Sequence, residues 1–282
     1  MVLVLDVLVP WLPERHRLAE GAKVIQAGAD PLHSRFPVRG FPCDVALAGD
    51  IATVLAALDA AMPEPGDAVR LRLPRLEAAN RERRETAAVR ARTGATVPMR
   101  SDWVSLCLSE ALGPEGVVVT ELGAQIGAME RPHAGTYLAN PVSGGLGWGL
   151  PAALGVKLAR PDAVVVACIG DGSYTFANPP ACHQVSEALG LPVLTIVMNN
   201  GVWNAVRWAT LEIYPEGSAA TANEMPLTSL APAPDYCMIA RASRGWAERV
   251  EDPHALPDAL RRAIAVVREE KRHALLDVRV AI

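Results

Sequence analysis

No stretch of this sequence stays apolar for long. The longest uninterrupted run is seven residues, 163–169 (AVVVACI), far below the ~20 that cross a bilayer as a helix. A membrane-embedded protein is therefore not expected. A basic segment leading an apolar one is also missing at the start, where Met1 is followed by Asp6 and Pro10, which argues against a secretory leader. Surplus basic charge is lacking too. The 27 Lys and Arg face 31 Asp and Glu for a net charge of -4, and the basic residues are spread out, so nothing forms a footprint for a nucleic-acid backbone. Cysteine is scarce, with five residues at 43, 107, 168, 182 and 237 and no close pair. That spacing suits buried free thiols in a reducing cytosol better than a disulfide frame or a zinc site. Internal repeats and low-complexity tracts are absent.

What the 282 residues do contain is enough apolar material, 50% of the chain, to build more than one core. Val2–Leu5 and residues 22–26 (AKVIQ) read as short parallel strands. Residues 44–62 begin with a third run and continue as the alanine-rich helical pattern IATVLAALDAAM, with Asp50 placed to cap it. Together 1–62 make a partial α/β domain. Residues 63–96 turn to Pro, Gly and Arg and read as a linker, in which 80–92 (NRERRETAAVRAR) alternates charge in the manner of a solvated helix. From 97 to 282 the pattern is more regular. A helix opens at Ser101 or Asp102, strands are expected at 117–120, 163–169 and 192–198, a helix at 253–269 with Asp252 at its mouth, and a closing strand at 274–280. Continuous apolar runs alternating with helices predict a doubly wound, mostly parallel α/β sheet, covered on both faces.

In such sheets ligands bind outside the carboxyl ends of the strands. At one end stands Gly170-Asp171-Gly172-Ser173, a turn that sets a carboxylate beside glycine amides able to approach an anion. The next strand ends in Asn199-Asn200-Gly201, with Asn200 29 positions after Asp171. One carboxylate, an amide oxygen and a backbone carbonyl are hard-cation ligands and leave places on magnesium for a diphosphate. A third end is Thr120-Glu121-Leu122-Gly123. Ahead of the Asp171 turn lies a glycine-dense stretch with Gly135, Gly144, Gly145, Gly147, Gly149 and Gly155. A helix starting near Leu150 would aim its positive end at a ligand there, and Pro151 suits its first turn. Taken singly, each has a plainer reading as a turn, a strand end or close helix packing. Their order at consecutive strand ends favours one site.

These residues resemble the thiamine-diphosphate-dependent enzymes related to acetolactate synthase and benzoylformate decarboxylase. Residues 170–207, GDGSYTFANPPACHQVSEALGLPVLTIVMNNGVWNAVR, are similar to the family's diphosphate and metal motif, and 143–155, SGGLGWGLPAALG, to the glycine stretch before it. The resemblance covers about 97–280, and more weakly 1–62, which looks like the latter part of the family's central domain. It implies that Asp171, the Asn200 side chain and the Val202 carbonyl hold Mg2+. Gly170 opens the motif, and Gly172 and Ser173 donate to the diphosphate. Gly144 and Gly145 lie along the pyrimidine, and Leu146 supports the bend of the cofactor. Glu121 and Gln125 line the substrate side. Asn178-Pro179-Pro180 lengthens the spacing between the two motifs and alters the start of the intervening helix.

The implied activity is decarboxylation of a 2-oxo acid or its coupling to a second carbonyl. In the family the cofactor lies between two domains, and a glutamate of a pyrimidine-binding domain activates it. No segment of these 282 residues resembles that domain, so a second chain, a missing segment of a longer enzyme or a homo-oligomer is expected to complete the site. A non-catalytic subunit that keeps the cofactor fold for assembly or regulation is the alternative, and a general magnesium-dependent phosphate-ester binder a third reading. Trp203, Trp208 and Tyr214 wall a substrate pocket or belong to the core. His133 is placed in a loop and His183 on the helix after the Asp171 turn, while His16, His33, His254 and His273 join no constellation.

Overall fold

Three short apolar runs with β-branched residues build the first sheet: β1 (Val2–Leu5), β2 (Val24–Gly28) and β3 (Val45–Ala48), all parallel, in the order β1-β2-β3. After β3 comes α1 (Ile51–Ala61), where Asp50 accepts the Thr53 N–H at 3.1 Å and satisfies an orphan amide of the first turn. α2 (Asp67–Arg92) follows, 26 residues with Pro74 inside and only Ala91 buried. Most of the stretch read as linker is thus a solvated helix. The computed structural model describes residues 1–140, 144–222 and 225–282. By internal contacts the chain divides into Met1–Leu76 and Glu77–Ile282, a division that falls within α2.

In the second unit the order is α3 (Ser101–Leu112), β4 (Val117–Glu121), a 3-10 turn (Ile126–Ala128), β5 (Tyr137–Ala139), α4 (Gly149–Ala159), β6 (Val165–Gly170), α5 (Asp171–Phe176) and α6 (Pro179–Ala188). It continues with β7 (Leu194–Asn199), α7 (Asn204–Ile213), α8 (Ser218–Thr221), α9 (Tyr236–Ala242), β8 (Trp246–Val250), α10 (Leu256–Arg268) and β9 (Ala274–Arg279). The six strands are parallel in the order β5-β4-β6-β7-β9-β8. Alternation along β6 explains its unbroken apolar run. Val166 and Cys168 enter a core with Leu108 of α3 and Leu260 of α10, while Val165, Ala167 and Ile169 enter another with Leu150 and Leu154 of α4. Burying each large aliphatic side chain contributes roughly 1.5–3 kcal/mol. Among the described residues no helix is long and apolar enough to cross a membrane.

Three expectations change. β5 and β8 carry no alternating or continuous apolar signal, being a three-residue strand and an edge strand with charged Glu248 and Arg249. α10 opens one turn later than expected, with Ala255 at its N-cap; Asp252 accepts instead from the His254 N–H at 2.9 Å. The Asp171 turn is itself the first turn of a helix, α5, whose N-cap is Gly170. Asn178 in the left-handed region (φ 54) separates α5 from α6, and Pro179 and Pro180 start the latter.

Candidate functional site

Parallel pairing of β6 with β7 brings Gly170 opposite Met198, so the residues leaving these strands emerge side by side. Asp171 is 2% exposed. Its Oδ2 accepts the Gly201 N–H at 2.7 Å and its Oδ1 the Gly172 N–H at 2.9 Å, which ties the two strand ends together. Burial pushes its carboxyl above the ordinary aspartate range, and the amides of Gly201 and Gly172 oppose that shift. Beside it, Asn200 Oδ1 accepts the Val202 N–H at 2.9 Å, and the Val202 carbonyl accepts the Asn204 N–H at 2.8 Å. The loop is pinned further by the Trp203 N–H on the Thr228 carbonyl at 2.7 Å. Gly172 must lack a side chain, because a Cβ there would run into the Trp203 ring.

These residues open onto a cavity of about 600 Å³ in the second unit. Asp171, Gly170, Gly172, Ser173, Asn200 and Val202 line it, and Gln125 and Leu146 join them from other loops. Trp203 and Trp208 are in its wall; Tyr214 is not, and is exposed. Leu122 is a cavity residue that sequence reasoning missed. It sits at φ 58, an uncommon conformation for a leucine, and its only sequence signal is its place after a strand end. Arg100 and Asp102 also line the cavity, joined by an ion pair, and no local pattern marks them.

Two groups of expected residues lie elsewhere. Gly144 and Gly145 are exposed, outside the cavity wall, and Ser143, which opens the glycine motif, lies outside the described residues with Pro141 and Val142. Glu121 is fully buried rather than facing the substrate side. Its Oε1 accepts the Gly147 N–H at 2.7 Å and its Oε2 the Gly149 N–H at 2.5 Å. Since Gly149 is the first residue of α4, the amino terminus of that helix is engaged by Glu121 and not open to a ligand. The histidines also rearrange. His183 donates to or accepts from the Tyr174 hydroxyl at 2.8 Å and stacks on His273, with ring centroids 4.9 Å apart and planes at 22°. His133 stays in a loop, paired with Glu115 at 3.0 Å.

The donor chemistry fits a hard divalent cation. The Asp171 carboxylate, the Asn200 amide oxygen and the Val202 carbonyl are all oxygens, at adjoining strand ends, next to the first amides of α5. Among the described residues no three His, Cys, Asp or Glu side chains converge on a metal position.

Residues 119–278 match the family model described as thiamine pyrophosphate enzyme, C-terminal TPP binding domain, thiamine pyrophosphate being thiamine diphosphate. A benzoylformate decarboxylase of Pseudomonas aeruginosa is 30% identical over 258 residues, covering 89% of this chain and 43% of that protein. An acetolactate synthase of Mycobacterium avium is 29% identical over 255 residues, covering 88% and 39%. The chain thus spans about two fifths of the length of these relatives. A solved thiamine diphosphate-dependent 4-hydroxybenzoylformate decarboxylase of Rhodococcus jostii RHA1 superposes on the whole chain and 49% of its own with a TM-score of 0.73, at 21% identity, a likeness of fold. The glycine turn, the asparagine pair and the parallel sheet that joins them thus sit within a matched cofactor domain, and the chain belongs to the thiamine pyrophosphate enzyme family.

Proposed function

We propose that residues 97–282 hold the diphosphate end of thiamine diphosphate through Mg2+, and that the chain works as this half of a 2-oxo acid decarboxylase or carboligase. The observation that carries the reading is the Asp171 carboxylate bridging the ends of β6 and β7, beside the Asn200 and Val202 oxygens. Asp171, Asn200 Oδ1 and the Val202 carbonyl would hold Mg2+, and the amides of Gly172 and Ser173 would donate to the diphosphate. Leu146 supplies an apolar support for the cofactor rings. Gln125 bounds the space left for a substrate, and Trp203 and Trp208 form an aromatic part of the wall. When bound, the cofactor provides an electron sink that lets carbon dioxide leave a 2-oxo acid. The pyrimidine half of the site would be supplied by a second chain, by a further segment of a longer enzyme, or by assembly with another copy of the chain. Residues 1–62 serve as part of a central domain. The five free cysteines support a cytoplasmic setting.

Calorimetric titration of the chain with thiamine diphosphate, with and without Mg2+, tests the first claim. Magnesium-dependent binding is expected, weakened by at least about a hundredfold in Asp171→Asn, which removes the only carboxylate of the set. Binding that ignores Mg2+ or the substitution overturns it. Nucleotides binding as well as thiamine diphosphate would make the chain a general phosphate-ester binder. For the second claim, a polypeptide carrying a pyrimidine-binding domain is added and carbon dioxide release from pyruvate or benzoylformate is followed. Cofactor binding without release on mixing would assign the chain a non-catalytic role.

A further inference from the structure

The resemblance placed Glu121 on the substrate side, but the fold buries its carboxylate completely at the end of a strand and away from the cavity wall. Glu121 closes β4 and is paired in register with Ile169 of β6. A buried carboxylate is costly unless its oxygens are satisfied. Here both are met by backbone amides of one short segment, Gly147 at 2.7 Å and Gly149 at 2.5 Å. The segment is shaped for this contact. Gly147 adopts φ +85, and a Cβ on it would come within 2.7 Å of the Phe176 carbonyl. A Cβ on Gly149 would come within 2.6 Å of the Ile169 side chain and 3.0 Å of Glu121 Cβ. Neither position admits another residue without moving backbone or core. Leu146, immediately before the clasped pair, lines the cavity.

From this geometry we propose that Glu121 is a positioning residue. Its carboxylate clasps the 147–149 backbone and so fixes where Leu146 stands in the cavity, without itself touching substrate or cofactor. Charge-assisted hydrogen bonds to amides are the strong kind, and two from one rigid carboxylate set the loop in two directions at once. The Asp171 turn is anchored separately, through Gly201. Loss of the Glu121 clasp therefore loosens the Leu146 side of the cavity and leaves the diphosphate side in place. The functional consequence rests on the reading that thiamine diphosphate occupies this cavity.

The test compares wild type with Glu121→Gln, which keeps the shape but presents one amide group to an N–H, and with Glu121→Asp, which keeps the charge but is one methylene short. Hydrogen exchange followed by mass spectrometry on the ligand-free chain is read at 144–150 and at 170–173. Exchange at 144–150 is expected to rise about tenfold or more in Glu121→Gln, and less in Glu121→Asp, with 170–173 unchanged. With Mg2+ present, affinity for thiamine diphosphate should fall about tenfold in Glu121→Gln while that for inorganic diphosphate changes less than about twofold. Unchanged exchange at 144–150 overturns the proposal, as does an equal loss for both ligands. Global loss of protection in both variants would make Glu121 a folding residue and overturn it too. A wild-type chain that binds no thiamine diphosphate would count against the cofactor reading alone, and the exchange comparison would still decide the role of Glu121.

Discussion

Behind the Asp171 turn, two buried histidines stand face to face. His183 is 1% exposed; burial and the neighbouring His273 push its imidazole down to about 3, and burial also lowers His273. The folded chain therefore holds His183 neutral where the unfolded chain protonates it near 6.5. Between those values the unfolded state binds the extra proton, so the stabilisation is complete above about pH 6.5 and is lost progressively as pH falls toward 3. The loss from His183 at pH 5 is about 2 kcal/mol. Urea titrations between pH 7 and pH 5 should show that slope, and His183→Gln should flatten it; parallel profiles would refute the assignment. Gly172 gives a second prediction at this scale. Gly172→Ala drives a methyl group into the Trp203 ring, an overpacking that costs about 1–3 kcal/mol and is read as a lower melting temperature. An unchanged melting temperature would mean that the ring yields freely.

Helix α4 shows how an element is held at both ends by buried charged groups. At its start Glu121 takes the Gly149 amide. Near its end Lys157, buried, donates through Nζ to the carbonyls of Pro161 at 2.7 Å and Ala163 at 2.8 Å, fastening the turn that leads into β6. Burial lowers the pKa of that ammonium group. Lys157→Met keeps most of the apolar stem but strips both carbonyls of their partner, at an expected cost of about 1–3 kcal/mol. Thermal or denaturant melts measure it, and a change within error would show that water replaces the ammonium group. At the same scale α10 lays Leu256, Leu260, Ile264 and Val267 onto the sheet. Such spacing is legible in sequence because an amphipathic helix repeats its apolar face every three to four residues.

Across the whole molecule, every residue of the candidate site lies within Glu77–Ile282. That segment produced alone is expected to unfold cooperatively and to bind Mg2+ and inorganic diphosphate within about threefold of the full chain's affinity. Circular dichroism and calorimetry check it, and a segment without a melting transition would show that 1–76 is needed for folding. By itself the sequence determined the strands β4, β6, β7 and β9, because strands buried on both faces are apolar for most of their length, with Asp277 of β9 tolerated through its bonds to Asn199 and Arg249, and it determined that Asp171 and Asn200 follow two consecutive apolar runs, which glycine and asparagine terminate. Tertiary structure alone decided the order β5-β4-β6-β7-β9-β8, which no local pattern encodes, and the existence of β5 and β8, whose short or charged strands carry too little periodicity. It also decided which carboxylate serves which purpose. Glu121 and Asp171 both follow apolar strands and look alike in sequence, yet register turns one toward the 147–149 amides and the other toward the cavity. The His183–His273 stack joins residues 90 positions apart, and only the packing of α6 beside the start of β9 brings them together.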